Sequence, residues 1–175
     1  MADTLSWYVN WFPQMRDLNG NPLYEDSHWD VPEIWDYVKA KGEYRTLVLE
    51  AEGQIQGYAV IRMQGYQGID GNPCGYIAFV AAAPWNRRLS PRQEYRGIGR
   101  VLIGVSSLFS GQELDTKALE LHSLSGSEAF YVKIGFQRTG RQDGQGLHQF
   151  RLEDQQATRL IFPLLGDLST NGGEK

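Results

Sequence analysis

The chain is short of sulfur, of imidazole and of long apolar runs. Cys74 is the one cysteine among 175 residues, so neither an intramolecular disulfide framework nor a cysteine-rich zinc site is available. His28, His122 and His148 are the only histidines, too few to expect a metal centre. No apolar stretch approaches the roughly 18 residues that a membrane span needs. The first residues, Met1–Thr4, form neither a basic nor an apolar leader region. Together these absences predict a soluble, cytoplasmic protein with no membrane partner. Basic residues are also too few for the positive stripe of a nucleic-acid binder, since the net charge is −4. What remains fits one domain, long enough to bury a core without covalent staples.

The charge that is present is unevenly placed. Residues 1–40 hold Asp3, Asp17, Glu25, Asp26, Asp30, Glu33 and Asp36 against Arg16 and Lys39, a balance of −5, which leaves +1 for the rest. Five arginines then fall between 87 and 100: Arg87, Arg88, Arg92, Arg96 and Arg100. One short region is equipped to meet anions, and the N-terminal region is not.

Periodicity gives the elements. Asp30 reads as an N-cap with Glu33 completing an acidic capping box, and Val31, Ile34, Trp35 and Val38 form a helical stripe ended by Gly42. Thr46–Glu50 and Ile55–Met63 read as a hairpin, and Gly75–Ala83 as a strand covered on both faces. The proline-punctuated segment 84–96 is a loop. Ile98, Val101, Leu102, Val105, Leu108 and Phe109 make a second helical stripe, ending near Gly111. Lys117–His122 is a strand, and Ser125 with Glu128 reads as a capping box for a short helix through Ile134. Phe136–Thr139 and Leu147–Leu152 close as a hairpin, and an amphipathic tail follows, interrupted by Pro163. The order predicts an α/β fold of the α+β kind, a mixed sheet covered by helices.

Between the buried strand and the second stripe lies Glu94-Tyr95-Arg96-Gly97-Ile98-Gly99-Arg100. Glycines at a helix start let backbone N–H groups approach a phosphate, and the helix dipole favours the anion. A tight strand-to-helix turn is the plainer alternative. A dinucleotide fingerprint would need glycine where Leu102 stands, and a P-loop would need Gly-Lys-Ser/Thr, which is absent.

This loop, with its strand and helix, strand 117–122 and the run Ala129-Phe130-Tyr131-Val132-Lys133-Ile134-Gly135-Phe136, resembles the GCN5-related N-acetyltransferase (GNAT) superfamily. The resemblance covers residues 45–152. It departs from the family's pyrophosphate motif at Glu94, where glutamine or arginine is usual, with Arg92 and Gln93 close by. It implies the GNAT fold, with about six to seven strands and a splayed parallel pair. Residues 1–168 would form a single acetyltransferase domain, 1–44 an aromatic and acidic acceptor-side segment, and 169–175 a disordered tail. The cosubstrate implied is acetyl-CoA, with no metal. Its pantetheine arm would pair with the backbone of Phe79, Val80 and Ala81, and an N–H near Val80 would stabilise the oxyanion. The N–H groups of Arg96, Gly97, Ile98, Gly99 and Arg100 would hold the pyrophosphate, with Arg92 or a neighbouring arginine on the 3′-phosphate.

The same resemblance makes Tyr131 the general acid for the leaving thiolate, against the plainer role of a packed aromatic. Strand 75–83 lacks the glutamate that relatives use as base, having only Tyr76 as an ionisable group. His122 is the nearest candidate, with Glu120 on its face and a water chain as the alternative. Ser123, Ser125 and Ser127 stand where relatives often place an asparagine. For Trp7, Trp11 and Trp29 a role in an acceptor pocket, in a homodimer contact or in the core is open, whereas Trp35 should be core. Trp85 and Asn86 would touch the acceptor or fix their loop. The acidic N-terminal region points to a small cationic amine as acceptor, with a solvated acidic face as the plainer alternative. The alternatives are a protein or peptide amine, or an acyl-CoA sensor without turnover.

Overall fold

The computed structural model describes residues 11–88, 90–91 and 93–170. Arg92 and Trp7, both singled out above, lie outside the described residues, as do residues 171–175 of the expected tail 169–175, whose first two residues, Ser169 and Thr170, are instead helical. The described residues form six strands: β1 (Tyr44–Ala51), β2 (Gln54–Arg62), β3 (Gly75–Ala82), β4 (Leu119–Ser123), β5 (Gln137–Gln142) and β6 (His148–Leu152). The helices are α1 (Val31–Lys39), α2 (Ile98–Leu114), α3 (Glu128–Lys133) and α4 (Asp154–Thr170), with short 3-10 turns at Phe12–Met15, Glu25–His28, Pro84–Asn86 and Ser125–Ser127. The sheet order is β1-β2-β3-β4-β6-β5, antiparallel except for the central β3–β4 pair.

Each face of the sheet is covered by a different set of apolar side chains. On one face α2 and α4 pack Ile103, Ala157 and Leu160 against Ile77, Leu119, Leu121, Phe150 and Leu152. Further along, Ile98 and Leu102 meet Ala59. On the other face Trp11, Val31, Trp35 and Val38 pack on Tyr58, Val60 and Ala81. Trp35 is core as expected, and the structure assigns Trp11 there too, at 2 % exposure. Helix α1 starts where the sequence placed it, with the Asp30 side chain accepting from Glu33 N.

Three expectations are corrected. The buried face of α2 is made of Ile98, Leu102, Ile103, Ser106, Ser107 and Ser110, with Val105, Leu108 and Phe109 only half-buried. The serines bring the helix close to the sheet and keep their hydroxyls satisfied. Ser106 bonds Leu102 O in its own helix, and Ser107 and Ser110 bond the carbonyls of Lys117 and Ala118. The Ser125/Glu128 pair is no capping box, because Ser127 caps α3 without a side-chain bond, and Glu128 is taken by Arg138 and His148. Helix α4 runs through Pro163 to Thr170, so the proline lies inside it rather than ending it.

Candidate active site

The parallel strands β3 and β4 are paired at three positions only, Gly75–Leu119, Tyr76–Glu120 and Ile77–Leu121. Beyond them β3 continues to Ala82 with β2 as its partner, and a gap opens toward β4. The register of β3 on β2 slips between Val60 and Ile61, so Ala78 is an extra, bulged residue. Gly75 N donates to Ala118 O on one side of β3, and Ala83 N to Gln56 O on the other. Alternation from these two anchors turns the backbone groups of Phe79 and Ala81 into β2 and those of Val80 and Ala82 into the gap. Of the three residues expected to offer backbone to a ligand, the pairing leaves Val80. It adds Ala82, which sequence reasoning missed because the parity of the strand depends on the bulge.

Helix α2 begins at the same opening. Gly97 is its N-cap, in the left-handed region at φ +81°, where a side chain would be strained. Val101 N makes the first helical bond, to Gly97 O at 3.0 Å, so the N–H groups of Ile98, Gly99 and Arg100 have no partner within the helix. Arg96 and Arg100 flank the turn and are exposed. The preceding loop is held by a buried amide pair: Asn86 Nδ2 donates to Gln56 Oε1 at 2.7 Å, and Asn86 Oδ1 accepts from Tyr95 N at 2.8 Å. Trp85 Nε1 donates to the same Gln56 oxygen at 2.9 Å. Trp85 and Asn86 therefore fix the loop.

Tyr131 and His122 stand on opposite sides of β4. Tyr131 is 7 % exposed in the cluster with Leu121 and Phe150, its ring flanked by Phe130 and Phe136. Burial, with the Asp26 charge as a smaller effect, pushes its phenol far above the ordinary range. His122 alternates to the other face, half-exposed, with Nδ1 2.9 Å from the Tyr76 hydroxyl. Burial, with the Asp143 charge as a smaller effect, raises the Tyr76 phenol. Glu120, on that same face, is fully buried and fully engaged. It accepts from Tyr66 Oη at 2.7 Å and from Ile69 N, Gln149 Nε2 and Arg151 Nη1 at 2.8 Å. With every oxygen occupied, it is a structural carboxylate and has no lone pair to spare for an acceptor's proton.

A turn from the N-terminal segment bridges the two lips of the gap. Beyond β4, Glu25 accepts from Ser125 Oγ at 2.5 Å and Gly126 N at 2.8 Å. Beyond β3, the Asp26 carboxylate takes both terminal nitrogens of Arg87, at 2.6 and 2.7 Å. Trp29 follows, half-buried, its ring edge-on to Phe79 at 5.1 Å. The acidic bias of this segment was visible in the sequence, but its partners lie 61 and about 100 residues away, with no local signal.

A mixed sheet opened between two parallel strands, with an uncapped helix start at the opening, defines a recognisable class of fold. No protein-family model matches the sequence, and no curated protein matches it. Solved structures do. The PaiA N-acetyltransferase of Thermoplasma acidophilum, in complex with coenzyme A, superposes with a TM-score of 0.51 at 13 % identity, over 74 % of this chain and 73 % of that one. A GNAT-family structure from Desulfovibrio desulfuricans superposes with a TM-score of 0.53 at 15 % identity, over 74 % of this chain and 81 % of that one. The fold is that of the GCN5-related N-acetyltransferase superfamily, as the loop and the Phe-Tyr-x-Lys-x-Gly-Phe run led us to expect.

Proposed function

We propose that this protein is an acetyl-CoA-dependent N-acetyltransferase that transfers the acetyl group directly to the primary amine of a small cationic molecule. The observation that carries the reading is the gap itself, which offers unpaired backbone from β3 beside the free N–H groups of the α2 start. An extended amide arm and a pyrophosphate need those two features side by side, so the residues present fit coenzyme A. When bound, acetyl-CoA supplies a thioester carbonyl that an amine attacks, forming the C–N bond as the C–S bond breaks.

This chain's residues supply the rest. Ile98, Gly99 and Arg100 would hold the pyrophosphate through backbone N–H groups, with Arg96 and Arg100 adding charge. The Val80 N–H faces the gap and would donate to the developing oxyanion. Tyr131, kept protonated by its surroundings, would donate to the leaving sulfur. His122 would take the amine proton at Nε2, a role that requires Nδ1–H to donate to Tyr76 Oη. Trp29, Phe79 and Tyr76 supply aromatic faces on the side of the sheet that carries Glu25 and Asp143, a combination that suits a cation.

The test is the melting temperature with and without acetyl-CoA, with NADH and ATP as controls. At about 100 times the dissociation constant, a ligand adds about 2.7 kcal/mol, and a domain of this size then melts roughly 5–10 °C higher. A shift with acetyl-CoA alone, followed by thiol release with an amine panel, supports the enzyme. A shift without turnover on any amine supports a sensor instead, and no shift removes the cosubstrate from the reading.

A further inference from the structure

Of the two residues of β3 that turn backbone into the gap, one is already engaged. Arg87 Nε donates to Ala82 O at 2.8 Å, while Nη1 and Nη2 hold the Asp26 carboxylate. The guanidinium carbon lies 4.5 Å from the centroid of the Tyr24 ring. The side chain of Arg87 is 15 % exposed and that of Asp26 11 %. A guanidinium held by three donated bonds and a ring face is preorganised in one place. A ligand arm that pairs with β3 as an added strand would draw on the gap-facing groups of Val80 and Ala82, and Arg87 has taken the second of these acceptors.

We propose that Arg87 is a positioning residue that gates the outer end of the coenzyme gap. Without ligand it occupies the Ala82 carbonyl, and it yields that carbonyl to the pantetheine amide while remaining on Asp26. The inference rests on the coenzyme reading above. The Asp26 pair makes the exchange inexpensive, because only the backbone bond is given up and the ion pair is retained. It also explains why an arginine in a cluster suited to phosphate contacts is turned inward. Its charge is spent on Asp26, which leaves phosphate to the exposed Arg96 and Arg100 at the helix start.

The experiment is calorimetric titration of coenzyme A into the wild-type protein, into Arg87→Lys, and into the paired substitution Asp26→Leu with Arg87→Met. Lysine keeps a charge for Asp26 but has no second arm for the Ala82 carbonyl, and the paired substitution removes both charges so that neither is left buried alone. The expected result is that both variants bind coenzyme A about tenfold more tightly, the value of one hydrogen bond to a charged donor at the low end of its range. The gain should appear in the KM for acetyl-CoA rather than in kcat. A second measurement needs no variant. The Arg87 Nε–H resonance of the wild type should exchange slowly with water in the free protein and lose that protection on adding coenzyme A. Unchanged or weaker affinity in Arg87→Lys would overturn the gate, and so would an Nε–H that stays protected in the complex. Failure of the wild type to bind coenzyme A at all is a different outcome, which defeats the coenzyme reading.

Discussion

Tyr131 keeps its proton because its ring is walled in by Phe130, Phe136 and Phe150, and because the Asp26 charge disfavours a second anion nearby. A phenol in that setting is a donor at every pH at which the protein works. If it serves the leaving sulfur, Tyr131→Phe should lower kcat by about a hundredfold, the low end for a lost general acid. Coenzyme affinity should be unchanged, since the ring still fills its place. Steady-state rates and calorimetry together check this, and an unaltered kcat across pH 6–10 would leave Tyr131 a packing residue. Tyr131 could be singled out from the sequence because the run around it is a contiguous motif. Arg87 was not, because a guanidinium on a buried carboxylate and one on a phosphate have the same local sequence. The difference lies in Asp26, which only the folded chain brings near.

At the scale of elements, the site depends on how closely α2 lies on the sheet. Gly57 on β2 makes that approach possible: a Cβ there would stand 2.6 Å from Ile98 Cγ2 and 2.9 Å from Ala81 O. Ile98 is the first residue of α2, so a methyl group at 57 pushes on the turn that presents the free N–H groups. Gly57→Ala should cost about 1–3 kcal/mol, as overpacking does, and should raise the KM for acetyl-CoA as the helix start shifts. Gly42→Ala is the control, since a Cβ there meets nothing within 4 Å. Urea denaturation and steady-state kinetics read the two effects, and a Gly57→Ala protein matching the control would show that the contact is slack. The existence of α2 was legible from its apolar recurrence, yet its buried face was not. Periodicity weights Val105 and Leu108 over Ser106 and Ser110, whereas close packing selects the small residues. The Ser125/Glu128 signature misled for a related reason: Glu128 finds Arg138 and His148 across the closing hairpin, and these outcompete a local cap.

Over the whole molecule, β1-β2-β3 and β4-β6-β5 are two half-sheets joined by the three residue pairs of β3 and β4, and polar contacts brace both ends of the gap. The turn at Glu25 and Asp26 spans the open end. At the closed end Glu120 of β4 takes bonds from Tyr66 and Ile69, both in the loop that leads into β3. That β3 and β4 are strands was legible from their apolar residues, but this bracing was not, because it joins residues more than 50 positions apart. It has a consequence in alkali. Burial, reinforced by the Glu120 charge, pushes the Cys74 thiol from 9.0 up to about 12, and burial with the bond to Glu120 raises the Tyr66 phenol as well. In the unfolded chain the thiol ionises near its ordinary value, so between about pH 9 and 12 the folded state holds more protons. Stability is therefore fully present below pH 9 and falls as pH rises toward 12. The urea midpoint of the wild type should be flat from pH 7 to 8.5 and decline by pH 10.5, and Cys74→Ala should show a shallower decline over the same interval, because one of the groups that withholds its proton is gone. A wild-type midpoint that stays level to pH 10.5 would mean that water reaches the closed end of the gap, and that Glu120 is not the sealed anchor between the half-sheets that its four partners make it.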